Sequence, residues 1–286
     1  MHGIARSRHR RHYHAAACLL SCLFLLSCSG CASLPGRYES LADHQTLSIG
    51  EMLGRIERAR VLFIGEGHTE DSDHLLQLAV IRHLHSRGKR VVVAFEVFPA
   101  AQQGVLSRWS GRLLDDSSFE RLTGLFWSDF VYYYDDILGF CRDAGIPLFG
   151  IGTDKAITVS IASQGPAVIS QEQSRELRFA DCSADEVYAR LMKSMAAADA
   201  HGRDFPYFCE AQRYVDSVMA LHLAGLLRRG ESTVVVLAGA AHAARAALPS
   251  LLSRHRAVDS VVLLPARFLE MLQGTAGGNI ADYLWY

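Results

Sequence analysis

Val61-Leu-Phe-Ile-Gly-Glu-Gly-His-Thr-Glu-Asp-Ser-Asp-His74 decides the fold class. Four apolar residues, three of them β-branched or aromatic, read as a short buried strand. Gly65 and Gly67 then let the chain turn with little side-chain bulk, and Ser72 or Asp73 is a suitable N-cap for the helix that follows. Glu66 and His68 therefore stand at the carboxyl end of a strand, which in open α/β sheets is the ligand-binding edge. A second stretch repeats the pattern: Val234-Val-Val-Leu-Ala-Gly-Ala-Ala-His242 again places Gly-x-x-His after an apolar run.

Outward from this stretch the chain alternates. Ile49–Ala59 and His74–Ser86 have helical spacing, and Val91–Phe95 is a continuous apolar run of the kind found in parallel strands covered on both faces. Helices are expected over 100–109, 116–125 and 135–143, and a short strand over 147–151. The order β-α-β-α-β gives an α/β class: a parallel sheet flanked by helices. Residues 158–206 are polar and alanine-rich with no strand-like run, and read as an inserted helical subdomain or a lid. A helix over 209–227 leads into the strand 233–238, and 258–264 reads as the last strand.

Residues 1–30 read as a targeting segment. Arg6, Arg8, Arg10 and Arg11 form a basic region, and 15–26 is apolar but too short to span a bilayer. Ser29-Gly30-Cys31-Ala32 resembles a lipoprotein box, with lipidation expected on Cys31 and Cys28 as the alternative; secretion without lipid is the plainer reading. Ala32 after the cysteine suits delivery to the outer membrane. Residues 31–45 read as a tether and 46–286 as the globular domain. The targeting segment carries four arginines and no acids, so the net charge of −1 becomes −5 on its removal, which excludes nucleic acid as a natural partner. Of the cysteines beyond Cys31, Cys182 and Cys209 can pair in an oxidising compartment or remain thiols.

Glu66, His68, Glu96 and His242 all follow strands, so a parallel sheet brings them to one edge. Two imidazoles and two carboxylates suit a divalent metal or an acid–base set; the blander role is to satisfy buried backbone groups. His74 and Gln77, one helical turn apart, can face the same crevice. Phe126-Trp-Ser-Asp-Phe-Val-Tyr-Tyr-Tyr134 holds six aromatics in nine residues. It reads either as a packed rim or subunit contact, or as the wall of a pocket for a large flat ligand, with a phenolate available to ferric iron. No nucleophile elbow, phosphate loop or covalent haem-attachment motif is present.

Gly65-Glu-Gly-His68, His74-x-x-Gln77, Phe95-Glu96, Tyr134-x-x-Ile137-Leu138, Gly145-Ile-Pro, Ala211-Gln-x-x-x-Asp216-x-x-Met219-Ala220, Ala238-Gly-x-x-His242 and Ala281-Asp-Tyr283, taken in this order, resemble the ChaN family of iron-regulated, haem-binding bacterial lipoproteins. The resemblance implies haem held non-covalently and ferric at a homodimer contact, a tyrosine ligand, and exchange with an outer-membrane haem transporter. By motif position it singles out Tyr134 as iron ligand, with Tyr132, Tyr133 and Tyr207 as alternatives and Trp127 and His74 as further pocket residues. The strand after Pro147 departs from the family pattern at Gly150-Ile-Gly152. The Gly-x-x-His elements also resemble a wider superfamily with erythromycin esterases and metallopeptidases, which implies a second function: a metal-dependent hydrolase using Glu66, His68, Glu96 and His242.

Overall fold

The computed structural model describes residues 33–198, 207–230, 232–272 and 280–286, which belong to one unit; the stretch read as a targeting segment, with Cys28 and Cys31, lies outside them. In chain order the elements are β1 (Tyr38–Ser40), β2 (Thr46–Leu47), α1 (Ile49–Ile56), β3 (Val61–Glu66), α2 (Asp71–Ser86), β4 (Val91–Pro99), α3 (Gln103–Ser110), α4 (Asp116–Thr123), α5 (Phe130–Asp143), β5 (Leu148–Gly152), α6 (Lys155–Gln164), α7 (Gln171–Leu177), α8 (Glu186–Ala198), α9 (Phe208–Arg228), β6 (Thr233–Gly239), α10 (Ala240–Ala243), α11 (Leu248–His255), β7 (Ser260–Pro265), α12 (Ala266–Met271) and β8 (Tyr283–Trp285). They build the α/β architecture read from the sequence: one eight-stranded sheet in the order β2-β1-β8-β7-β3-β6-β4-β5. Strands β3 to β8 run parallel, and the β1–β2 pair closes one edge antiparallel.

Alternation along the central strands explains why both faces are covered. Val61 and Phe63 of β3, with Val234, Val236 and Ala238 of β6, pack against one helical layer that includes α9 and α11. Leu62 and Ile64, with Val235 and Leu237, pack on the other face with α1, α2 and α5. A continuous apolar run in sequence is thus two alternating sets in space. Because β6 inserts between β3 and β4, the ends of β3, β6 and β4 become neighbours, with Glu66 level with Gly239.

Several expectations are corrected. Gly65 does not open a turn but lies inside β3. A Cβ there would fall 2.5 Å from Leu264 Cδ2 and 2.9 Å from the Ala240 backbone, so glycine serves close packing. Helix α2 begins at Asp71 with Glu70 as N-cap, ahead of Ser72 and Asp73. The stretch read as a tether already contains β1, with Tyr38 buried. The strand over 258–264 is not the last: β8 follows and pairs with both β7 and β1. The helical segment starts near Lys155; α6 and α8 pack along α9, so its described part is a side wall and not a lid, while 199–206 lie outside the described residues. Cys182 and Cys209 form a disulfide across this wall.

Trp285 locks the edge to the centre. Its indole, 2% exposed, donates to Asp73 Oδ1 at 3.1 Å, while Asp73 Oδ2 accepts from the Gly67 N–H at 2.8 Å and from Arg267. Trp285→Ala should lower stability by about 3–5 kcal/mol. Trp285→Phe, which keeps most of the packing but leaves Asp73 short of a donor, should cost about 1–3 kcal/mol. Urea unfolding followed by circular dichroism checks both; equal midpoints for wild type and Trp285→Ala would refute the lock.

Candidate functional site: two histidine relays and an aromatic rim

Glu66, the last residue of β3, is buried and ionised. His68 Nδ1 lies 2.9 Å from its Oε1, the Gln77 amide donates to Oε2 at 2.5 Å, and the Tyr134 hydroxyl donates to Oε1. Burial opposes the charge, but the His68 hydrogen bond, the His68 and His74 charges and the Gln77 bond outweigh it, holding the carboxyl below its usual range. Burial likewise opposes a charged His68, yet the Glu66 bond and the charges of Glu96 and Glu66 raise its pKa. This is the chain Tyr134–Glu66–His68, with the His68 side chain 41% exposed at its outer end.

A second chain mirrors it. Helix α10 is a single turn that presents His242; Nδ1 lies 2.7 Å from Asp216 Oδ1, and Asp216 Oδ2 accepts from the Tyr188 hydroxyl at 2.7 Å. On its other side His242 Nε2 faces Glu96 Oε1 at 3.4 Å, while Glu96 Oε2 accepts the Gly239 N–H at 2.6 Å. Burial disfavours the imidazolium, but Glu96 and Asp216 together raise His242 to about 9. Burial also lifts the Asp216 carboxyl, against the pull of His242 and Tyr188. The two chains meet over Gly239: a Cβ there would lie 3.2 Å from the His68 ring and 3.6 Å from Glu96 Oε2. Glu66, His68, Glu96 and His242 thus converge at the carboxyl edge of the sheet. Among the described residues no three His, Cys, Asp or Glu side chains are grouped to hold a metal ion; each Nδ1 is already committed to a carboxylate, a geometry suited to proton transfer.

The aromatic stretch does not merely precede a helix. Phe130–Tyr134 is the opening of α5, and helical spacing sorts its side chains. Phe130 and Tyr134 turn inward at 0% exposure, whereas Tyr132 is 76% exposed and Leu125 in the preceding turn 83%. The Tyr134 oxygen is therefore closed to an iron ion. It is buried, it donates to Glu66, and burial with the Glu66 charge raises its pKa far above that of an ordinary phenol. His74 is also withdrawn: Nδ1 meets Gln77 Oε1 at 3.1 Å and Nε2 the His68 carbonyl at 3.2 Å. Trp127 stands edge-on to His68 with ring centroids 5.6 Å apart, and Tyr133 is half-buried beside His74. Tyr207 lies apart from this group, its ring against Gly165 at φ +89°.

A family model described as "Haem-binding uptake, Tiki superfamily, ChaN" matches residues 52–252. The chain belongs to the ChaN family. Among solved structures, ChaN of Campylobacter jejuni, described with cofacial haem binding, has a TM-score of 0.61 at 16% identity, covering 87% of this chain and 95% of that one; this likeness shows the shared fold. A mutant of the erythromycin esterase EreC in its open conformation has a TM-score of 0.45 at 15% identity, over 80% of this chain and 76% of that one. In Arabidopsis thaliana the chloroplastic protein RETICULATA-RELATED 5 is 24% identical over 257 residues, 81% of this chain. The chain spans about a third of that relative's length, 34%.

Reading strand ends locates four members of the two relays and places Gln77 at the same crevice; Asp216 stands only within a family motif, with no role, and Tyr188 is not singled out. Tyr188 lies on α8 with no motif to mark it. Asp216 interrupts the apolar stripe of α9 between Val215 and Met219, and a carboxylate at a core position is the signal that could have found it. The raised pKa of His242 has a sign. Its stabilising charge is complete below the ordinary histidine value near 6.5 and is lost as pH rises through about 9. The His242 Cε1 proton should titrate near pH 9 by NMR, and Asp216→Asn should lower the midpoint by about a unit or more. A wild-type midpoint near 6.5 would contradict the relay.

Proposed function

We propose that this protein is a lipid-anchored haem-binding protein of the cell envelope that takes part in haem or iron acquisition. It binds ferric haem non-covalently on the rim formed by the turn before α5 and the outer face of that helix, between two copies of the chain. Membership of the ChaN family carries the reading. Exposed apolar side chains support it: Leu122, Leu125 and Tyr132 are exposed within ten residues of one another in the chain, and covering such surface contributes several kcal/mol at about 25 cal/mol per Å². Tyr132 is the ligand we assign, because its phenol is the most exposed of the four candidate tyrosines. Bound haem supplies a ferric ion that favours an anionic oxygen ligand; Trp127, Tyr133 and the exposed leucines provide contact area.

Haemin titration followed by absorbance should give a saturable Soret shift and a tyrosinate charge-transfer band. Tyr132→Phe should abolish that band, and Tyr134→Phe should retain it while lowering stability by about 1–3 kcal/mol through loss of a buried donor. The complex should sediment as a dimer. An unsaturable titration would overturn the function; a band that persists in Tyr132→Phe would overturn the ligand.

The location follows from Ser29-Gly30-Cys31-Ala32 and the basic and apolar segments before it. Lipid on Cys31 places the domain in the aqueous envelope, within reach of an outer-membrane haem transporter. Labelled palmitate should enter the wild type and be lost in Cys31→Ser; equal incorporation would contradict this assignment.

A second reading rests on the relays. Each imidazole has Nδ1 held by a buried carboxylate, and Glu96 stands between them. In its neutral form His68 can take a proton from water while cationic His242 stabilises a developing oxyanion, an arrangement that suits ester or amide hydrolysis. Activity on a nitrophenyl ester, lost in both His68→Ala and His242→Ala with haem binding intact, would place hydrolysis above haem as the role of this cleft. Equal background rates in all three proteins would remove it.

A further inference from the structure

A pocket of about 520 Å³ lies apart from both the relays and the rim, within the range of small-molecule sites. Its walls come from four places: Asp185 and Val187 at the start of α8, Arg245 and Ala246 after α10, Pro249, Ser250 and Ser253 on α11, and Val258 and Ser260 at the foot of β7. The lining thus combines Val187, Ala246, Pro249 and Val258 with three serine hydroxyls, the Asp185 carboxylate and the Arg245 guanidinium.

The hydrogen-bond accounting around this pocket is short of acceptors. Arg245 bonds Asp282 through Nη2, but its buried Nε–H has no partner among the described residues. Behind the wall, Arg213 is 1% exposed, and its Nε and Nη2 also lack partners among the described residues. Asp185 is the shared carboxylate. It receives Arg213 Nη1 at 3.3 Å and Arg254 Nη2 at 3.5 Å, both long for charge-assisted bonds, and it also caps the Tyr188 N–H at 3.1 Å. Asp282 is divided between Arg245 and the Val262 N–H. Three guanidinium groups thus share two carboxylates, each with other donors to serve. The unmatched atoms are buried and do not open on the pocket; what they mark is an excess of cationic donors over carboxylates around it.

We propose that this pocket binds a small organic carboxylate. The acid group meets the exposed part of the Arg245 guanidinium and the Ser250, Ser253 and Ser260 hydroxyls, and a short apolar tail lies on Val187, Pro249 and Val258. The charge balance favours a carboxylate over an amine, since Asp185 is already claimed by two arginines. The dimensions favour a molecule over a bare ion. Tail and head together give selectivity that neither gives alone.

Calorimetric titration of the purified chain with hexanoate, hexanol and hexylammonium tests the site. Hexanoate should bind saturably, while the neutral alcohol and the amine should show no saturable binding. Arg245→Gln should weaken hexanoate by about tenfold or more, as expected for loss of one charge-assisted contact. Because that change also breaks the Asp282 pair, Ser253→Phe is the second variant: it fills the pocket, keeps the pair and should abolish binding. Both variants should retain the wild-type circular dichroism and haemin titration. No saturable hexanoate binding, equal binding of hexanol, or wild-type affinity in Ser253→Phe would each overturn the proposal.

Discussion

A buried negative charge at the end of β3 is the constraint around which much of the molecule is arranged. Glu66 cannot remain ionised in the interior without compensating donors, and those donors arrive from three directions. His68 comes from the following loop, Gln77 from α2 and Tyr134 from α5. Meeting the needs of one carboxylate therefore fixes how two helices dock on the sheet. Asp216 imposes the same discipline on the other side, drawing together α8 through Tyr188 and α10 through His242. The local packing matches this demand: Gly239 leaves little room for a side chain where the two chains approach, and Gly65 leaves none beside Leu264 and Ala240.

The parts of this architecture that are written locally are legible in the sequence. The central strands show as apolar runs because both their faces are covered, and Glu66, His68, Glu96 and His242 show because a parallel sheet must bring its strand ends to one edge. What is not local is hidden. Strands β1 and β8 are three residues each, too short for alternation to register, and they exist because they find each other. The inward direction of Tyr134 is hidden for a subtler reason. Helix α5 starts at Phe130 after Asp129, whose side chain makes no capping bond, so no N-cap signal announces the start. Without the start, the phase is unknown and inward and outward tyrosines cannot be separated. Tyr188 and Asp216 lie 28 residues apart, on helices whose mutual docking no motif encodes.

The site divides into an inward half and an outward half that touch at Trp127. Inside, carboxylates and imidazoles are matched donor to acceptor and closed to bulky groups; outside, apolar side chains and a free phenol face solvent. Trp127 belongs to both, edge-on to His68 and packed with Phe130 and Tyr134. Anything that presses on the rim therefore presses on the exposed end of the first relay. Two chemistries are held side by side without sharing a side-chain oxygen.

The sheet order has a bearing on how the chain comes to be folded at all. Strand β8 sits between β7 and β1, so β1 has only the short β2 beside it until residues 283–285 are made. The Tyr286 hydroxyl then reaches back across 247 residues to Glu39. At ordinary rates of synthesis that wait is ~10–50 s. During it the front of the chain stays outside the sheet as an open end, and the sheet cannot close at that edge before the last strand is made.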